Sequence, residues 1–339
     1  MGSEAWPLAG LEPVAHCPYC GNGQRSLAFH DVQDWAFGSA PGRWTYWDCN
    51  GCHALYLDPR PTPDTIGLAY ARYYTHAAAA PSVGSRAKER LRNELWFHTL
   101  GADLAPRLHL PWPLAFMMPR LRRYVAEPFG LRDMAQLPKG LLVDVGCGNG
   151  DKLALAHRLG WRTLGLELDT AAAQTAQARG LDVRQGGYTE LACLTEQADC
   201  IVCSHVLEHV HQPLQMLRLL RAALKPEGTL LLSTPNSQSH LREHYGRYWR
   251  GLEAPRHLAI ASHDWLKKHL QALGLDCTSV ASMDLECAVE SERMRRSDAH
   301  ALAQDVRNAR QALARNAPVP LARGDATQLV CRLSMAGDA

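Results

Sequence analysis

One stretch, residues 141–169 (LLVDVGCGNGDKLALAHRLGWRTLGLELD), limits what this chain can fold into more than any other. An apolar run, Leu141-Leu142-Val143, ends in Asp144 and a glycine-rich turn, Gly146-Cys147-Gly148-Asn149-Gly150. Leu153, Ala156, His157 and Leu159 then fall at helical spacing, and Gly160 is placed to stop the helix. Residues 161–166 read as a second strand that ends in Glu167. A strand, a tight turn, a helix and a strand in so short a span form the opening of a doubly wound α/β sheet.

The glycines have a physical task. A strand that turns directly into a helix needs backbone angles, and room for a ligand, that a Cβ would obstruct. The helix then presents its free N–H groups and positive end to whatever lies over the turn. Glu167, 23 positions after Asp144, suits a ribose diol. A nicotinamide-type fingerprint would need its third glycine at position 151, which is Asp151. The spacing is instead G-x-G-x-G with an acid two residues before it. This resembles motif I of the class I S-adenosylmethionine (SAM) methyltransferases. The resemblance implies that the glycine turn packs on the methionine part of SAM, that Asp144 anchors it, and that Glu167 holds the ribose.

The residues downstream continue the pattern. Residues 171–179 read as an alanine-rich helix and 181–184 as a third strand. Where many members of that family carry an acid for the adenine, this chain reads Gln185-Gly186-Gly187-Tyr188, with no acid until Glu190. A fourth strand at 199–203 leads into Ser204 and the run HVLEHV. A helix to Leu224, the turn LKPEG, a strand at 229–233 and Thr234-Pro235-Asn236 follow. A helix at 264–273, a strand near 277–282 and a last strand at 328–333 would complete the sheet, around a charged helical insertion at 291–315. The succession HVLEHV, LKPEG and TPN is similar to the same family in order and distance. The resemblance implies a Rossmann-like fold with a seven-stranded mixed sheet. It also implies cofactor contacts from Asp144, Gly146, Cys147, Gly148, Asn149, Gly150, Glu167, Leu168, Gly187, Tyr188, Ser204 and His205.

Near the amino end, Cys17-Pro18-Tyr19-Cys20 and Cys49-Asn50-Gly51-Cys52 are two C-x-x-C knuckles with 28 residues between them. They can offer four thiolates to one tetrahedral zinc, and strand-like 43–48 and 54–57 complete a zinc-ribbon pattern. Four thiolates leave no open coordination position, so the zinc is expected to be structural. The other reading is four buried or redox cysteines. Thr62 as N-cap and Pro63 at the first helical position predict a helix to about residue 74, followed by a small-residue linker at 77–85. A helix at 86–100 and a proline-rich apolar stretch come next. Between Arg86 and Arg123, eight Lys/Arg face three Asp/Glu, an excess of five positive charges. That segment reads as a cap, a patch for peripheral membrane contact, or a connector with a solvated basic face. The expected division is a zinc-ribbon module at 1–76, a helical connector at 77–137 and the transferase domain at 138–339.

Composition narrows the function. A net charge of +2 over 339 residues argues against a general polyanion binder. Eleven cysteines, an odd and scattered set, read as a reducing compartment. The amino end carries no signal-peptide pattern, and no apolar run is long enough to span a bilayer, so a cytoplasmic location is expected. The segment 239–257 is rich in His, Arg, Tyr and Trp, which suits a pocket for a polar or anionic group or a satisfied surface loop.

His205, Glu208 and His209 stand at i, i+3 and i+4, so a helix starting there would put them on one face. With His257 they could hold a second divalent metal. The arrangement resembles the E-x-x-E-H site of small-RNA 3′-terminal and ubiquinone-pathway methyltransferases, with His205 in place of the first acid. The competing reading makes His205 a general base, with His209 and His257 as further candidates. Three functions compete at this stage. The first is O-methylation of a polar small molecule or glycan; the second, an RNA methyltransferase gripping nucleic acid by its ribbon; the third, a non-catalytic SAM-binding regulator.

Overall fold

A computed structural model describes residues 5–70, 83–110, 129–281, 285–296, 308–309 and 320–333. Five short strands come first: β1 (Leu11–Glu12), β2 (Arg25–Val32), β3 (Trp44–Cys49), β4 (Leu55–Leu57) and β5 (Arg60–Pro61). Helices α1 (Val83–Leu100) and α2 (Leu131–Gln136) follow. Then come β6 (Leu141–Val145), α3 (Asp151–Arg158), β7 (Arg162–Glu167), α4 (Thr170–Ala178) and β8 (Val183–Gln185). After them stand β9 (Ala198–Ser204), α5 (Pro213–Ala223) and β10 (Leu224–Pro235). The last elements are α6 (His240–Tyr245), β11 (Ala259–Ile260), α7 (His263–Ala272), β12 (Leu275–Val280), α8 (Leu285–Arg296) and β13 (Ala326–Leu333).

Seven strands form one mixed sheet in the order β12-β13-β10-β9-β6-β7-β8. The strands β6, β7 and β8 run parallel, and β12 and β13 pair antiparallel. This is the Rossmann-like arrangement the sequence implied. A second sheet, β11-β4-β3-β2, carries the amino-terminal module.

Contacts divide the chain into two units. One joins Met1–Thr75 with Cys203–Arg221 and Leu232–Ala339; the other joins His76–Val202 with Ala222–Leu231. In the first unit, Trp6, Trp44, Tyr46, Leu55 and Leu57 share one core with Leu241, Tyr245, Trp249, Leu252, Leu258 and Ile260. The alternation along β3 explains its share: Trp44 and Tyr46 point inward, and the residues between them are only half-buried. In the second unit, Trp96, Leu100, Leu104 and Leu131 form a separate core beneath α1 and α2. Burying side chains of this size is worth roughly 1.5–3 kcal/mol each.

Several expectations change. The helix from Pro63 is a turn and a 3-10 segment, Ile66–Tyr70, and the residues after it lie outside those described. The helix expected at 86–100 begins at Val83. Most of the proline-rich stretch and its arginines at 120–123, residues 77–82 of the linker expected at 77–85, and much of the insertion at 291–315 lie outside the described residues. The cysteines, read from the sequence as those of a reducing compartment, include one bonded pair. Cys277 on β12 and Cys331 on β13 are register partners, with Cα atoms 4.1 Å apart, and form a disulfide. The other nine cysteines form no disulfide among the described residues. None of the described helices is long and apolar enough to cross a membrane.

Candidate functional site

The glycine turn of the second unit is built by its neighbours. Gly146, Gly148 and Gly150 all have positive φ, at 69°, 55° and 82°. A Cβ on Gly150 would stand 2.4 Å from Leu181 Cδ1, so the turn closes only with glycine there. The Gly146 and Cys147 N–H groups donate to the Leu166 carbonyl at 2.8 and 3.2 Å. Glu167 accepts from Gly148 N–H through Oε2 at 2.7 Å and from Asp169 N–H through Oε1 at 2.8 Å. The acid that the sequence placed on a ribose therefore also braces the turn, and each oxygen keeps a second lone pair. Asn149 Oδ1 accepts from Asp151 N–H at 3.1 Å, at the start of α3.

Asp144 lies near the end of β6, two residues before Gly146. It is buried, and its Oδ2 has no hydrogen-bond partner. Burial pushes its carboxyl up to about 6, with Glu167 adding to the rise and Lys152 opposing it. An orphaned carboxylate oxygen beneath a backbone turn calls for a donor, which the ammonium group of SAM would supply. Leu168, 76% exposed directly after buried Glu167, offers an apolar surface. Gly187 and Tyr188 open a 3-10 segment after β8, where Gly186 N–H donates to the Glu167 carbonyl at 2.9 Å. These residues fit SAM.

The four predicted cysteines of the first unit converge. Cys17 Sγ lies 3.5 Å from Cys52 Sγ, and Cys20 Sγ 3.4 Å from Cys49 Sγ. All four sulfurs lie within 4.8 Å of one another. A tetrahedral zinc with Zn–S near 2.3 Å would set its sulfurs about 3.8 Å apart, so the cluster could hold one with little adjustment. The two knuckles share one backbone form. Gly21 N–H donates to the Cys17 carbonyl at 2.9 Å and His53 N–H to the Cys49 carbonyl at 3.0 Å. Both Gly21 and His53 take positive φ. Among the described residues, neither His16 nor His53 joins the cluster.

HVLEHV does not form the expected helix. His205 takes φ 57°, its N–H donates to the Ser233 carbonyl at 2.8 Å, and only Leu207–His209 make a 3-10 turn. Ser204 ends β9, half-buried. The geometry separates two groups of side chains. His205 Nδ1 lies 3.2 Å from Glu208 Oε1, with the imidazole side chain 54% exposed and the Glu208 carboxylate fully buried. Glu208 Oε2 accepts from Thr234 Oγ1 at 3.0 Å. Burial would raise the Glu208 carboxyl, but the His205 hydrogen bond and the charges of His205, His209 and His257 bring it down to about 2. An ionised carboxylate can accept a proton carried on His205 Nδ1 and so orient the ring.

The second group is Glu208, His209 and His257, whose donor atoms lie within 4.8 Å of one another. His209 Nδ1 stands 3.1 Å from the Arg256 carbonyl, and His257 Nδ1 2.6 Å from the Gly251 carbonyl. A carbonyl only accepts, so a proton on Nδ1 of either ring would be donated to it, and at His209 the Tyr70 hydroxyl also lies 3.0 Å from Nδ1. The rings meet edge to face, with centroids 4.6 Å apart. Burial, then His209, pushes the His257 imidazole down to about 4. Of the four residues predicted to share a metal, the structure thus gathers three, and His205 stands outside as the partner of Glu208.

Sequence reading missed several residues here. Glu253, buried and at φ 36°, lies with Oε2 3.7 Å from His257 Nε2. Arg256, fully buried, pairs with Asp34 at 2.7 Å. Tyr46 and Tyr70 come from far away in the chain. The enrichment of 239–257 in charged and aromatic residues was the available signal, and it gave no pairing.

A family model described as a methyltransferase domain matches residues 116–280. The ubiquinone biosynthesis O-methyltransferase of Actinobacillus pleuropneumoniae serotype 5b is 34% identical over 128 residues, covering 33% of this chain and 55% of that protein. This chain therefore spans about half the length of that relative. The enzyme of the same name from Cereibacter sphaeroides is 33% identical over 172 residues, covering 46% of this chain and 67% of its own. Among solved structures, an S-adenosylmethionine-dependent methyltransferase from Mesorhizobium loti is 20% identical, with a TM-score of 0.41, over 60% of this chain and 95% of that one.

Proposed function

The chain belongs to the SAM-dependent methyltransferases, and from that premise we propose that it methylates a hydroxyl oxygen of a polar small molecule or glycan. The proposed acceptor class rests on the relatives' printed name and on the charge balance of +2. The observation that carries the mechanism is the His205–Glu208 pair: an exposed imidazole whose inner nitrogen is held by a buried, ionised carboxylate.

SAM supplies an electrophilic methyl group on a sulfonium. Asp144 and the glycine turn bind the amino-acid end, and Glu167 holds the ribose. His205 would act as general base, accepting the proton that the acceptor hydroxyl loses. Glu208 orients the ring and stabilises the imidazolium that results. His209 and His257 line the acceptor side. The four cysteines hold one structural zinc, the protein works in the cytoplasm, and the basic segment 86–123, of which 111–123 lie outside the described residues, is the candidate for peripheral membrane contact.

A second reading is favoured by the grouping of Glu208, His209 and His257, whose candidate ligand atoms lie within 4.8 Å of one another. Two imidazoles and a carboxylate are a metal-ligand set, and a divalent ion there would lower the pKa of the acceptor hydroxyl without a general base. Variants and chelation separate the readings. With His205 as base, His205→Ala lowers kcat by about 10²–10⁴ at saturating SAM while metal content stays unchanged. Full activity in His205→Ala, together with its loss when metal outside the cysteine cluster is removed, would favour the ion instead.

A further inference from the structure

Residues of the four-cysteine module reach the histidine cluster by several routes, all within the first unit. Tyr19 stands between Cys17 and Cys20, is fully buried, and donates its hydroxyl to the Ala259 carbonyl at 3.0 Å, two residues past His257. Tyr46, fully buried on β3, places its hydroxyl 2.7 Å from the Leu252 carbonyl and 2.9 Å from that of His257. The Tyr70 hydroxyl lies 3.0 Å from His209 Nδ1. The second knuckle is bound in the same way: Ser262 Oγ donates to the Cys52 carbonyl at 2.7 Å and Ser237 Oγ to the His53 carbonyl at 2.6 Å.

The backbone adds a further tie. β4 pairs with β11 directly after His257, through Tyr56 with Ala259 and Leu55 with Ile260. Leu57 N–H donates to the Leu258 carbonyl at 2.9 Å, and Leu258 N–H to the Glu208 carbonyl at 2.8 Å. A line of hydrogen bonds therefore runs from the module through residue 258 to the glutamate of the cluster. The segment 250–258 itself has only short 3-10 turns and a strained Glu253, so it cannot hold its form from local bonds alone.

We infer that Tyr19, Tyr46 and Tyr70 are positioning residues for His209 and His257, and that a metal on the four cysteines locks them in place. The module is then the frame of the histidine cluster, and its occupancy decides whether the two rings keep their edge-to-face arrangement. The functional consequence rests on the role proposed above for the cluster; the coupling does not.

The test uses the full chain with and without cysteine-bound metal, and the variants Tyr19→Phe, Tyr46→Phe and Tyr70→Phe. Hydrogen exchange follows residues 251–260, long-range proton–nitrogen spectra report the ring tautomers of His209 and His257, and calorimetry measures SAM binding. Metal removal is expected to raise exchange in 251–260 at least about tenfold and to erase the single-tautomer signature of both rings. SAM affinity, set by residues 144–168, should stay within about twofold. Tyr46→Phe should loosen 251–260 with the metal still bound, and Tyr70→Phe should shift the His209 ring nitrogens alone. Unchanged protection and ring spectra after metal loss overturn the inference, as does a collapse that also abolishes SAM binding. No readout needs a methyl acceptor, so failure of the methyl-transfer reading would appear in turnover assays and not here.

Discussion

Asp144 holds its proton to about pH 6 because the folded chain buries it, whereas its ordinary value is 3.8. The sign follows from proton counts. Between these values the native state binds more protons than the unfolded chain, so stability falls as pH rises through that window and stays lowered above it. The full penalty is about 3 kcal/mol. Asp144→Asn should therefore be more stable than the parent at pH 8, by up to about 3 kcal/mol, and close to equal near pH 4. Urea melts at the two pH values measure this, and a gain of equal size at both would contradict it. The same substitution should weaken SAM binding, since it removes the charge beneath the turn. Glu167→Gln tests the neighbouring acid: it loses the charge-assisted bond to Gly148 N–H and, in the proposed site, those to the ribose. Calorimetry should show SAM affinity falling at least about tenfold, and unchanged affinity would remove Glu167 from the cofactor site.

At the scale of elements, β6, α3 and β7 were legible because strand, turn and helix there follow from neighbours in sequence. Gly160 indeed ends the segment, with φ 93° two residues past α3. The C-x-x-C knuckles were legible for the same reason. HVLEHV was not, because its form is set from outside: the Ser233 carbonyl takes the His205 N–H and holds that residue in the left-handed region. Helical spacing therefore put His205, Glu208 and His209 on one face that does not exist. The Cys277–Cys331 pair was hidden too, since 54 residues separate partners that only sheet register brings together. Asp34 shows how much such distant pairing carries. It accepts from the N–H groups of Phe37, Ser39 and Ala40 and pairs with fully buried Arg256. Removing one member of a buried pair leaves an uncompensated charge, so Asp34→Ala should cost about 3–5 kcal/mol, read as a lower denaturation midpoint. A loss under about 1 kcal/mol would mean that Arg256 finds water or another partner.

Across the whole molecule, the sequence separated an amino-terminal module from the transferase domain, while the contacts join residues 1–75 to the segments after β9 and β10. The joining core is made of aromatic and aliphatic side chains whose partners lie about two hundred residues away in the chain, as Tyr46 and Leu252 do. No local pattern encodes such partners. If the four cysteines hold a structural zinc, elemental analysis of the purified chain should give one zinc per chain, and its removal should expose the cysteine thiols. Full thiol reactivity in protein that contains no zinc would contradict that assignment. The measurement that bears most directly on function is transfer of a labelled methyl group from SAM. The full chain is incubated with methyl-labelled SAM and a cell extract containing both metabolites and RNA, and the label is traced by mass spectrometry. The expected result is label on the oxygen of a polar small molecule or glycan, lost in His205→Ala although SAM still binds. Label confined to RNA, with binding to RNA that falls by several decades as salt rises, would contradict the small-molecule assignment.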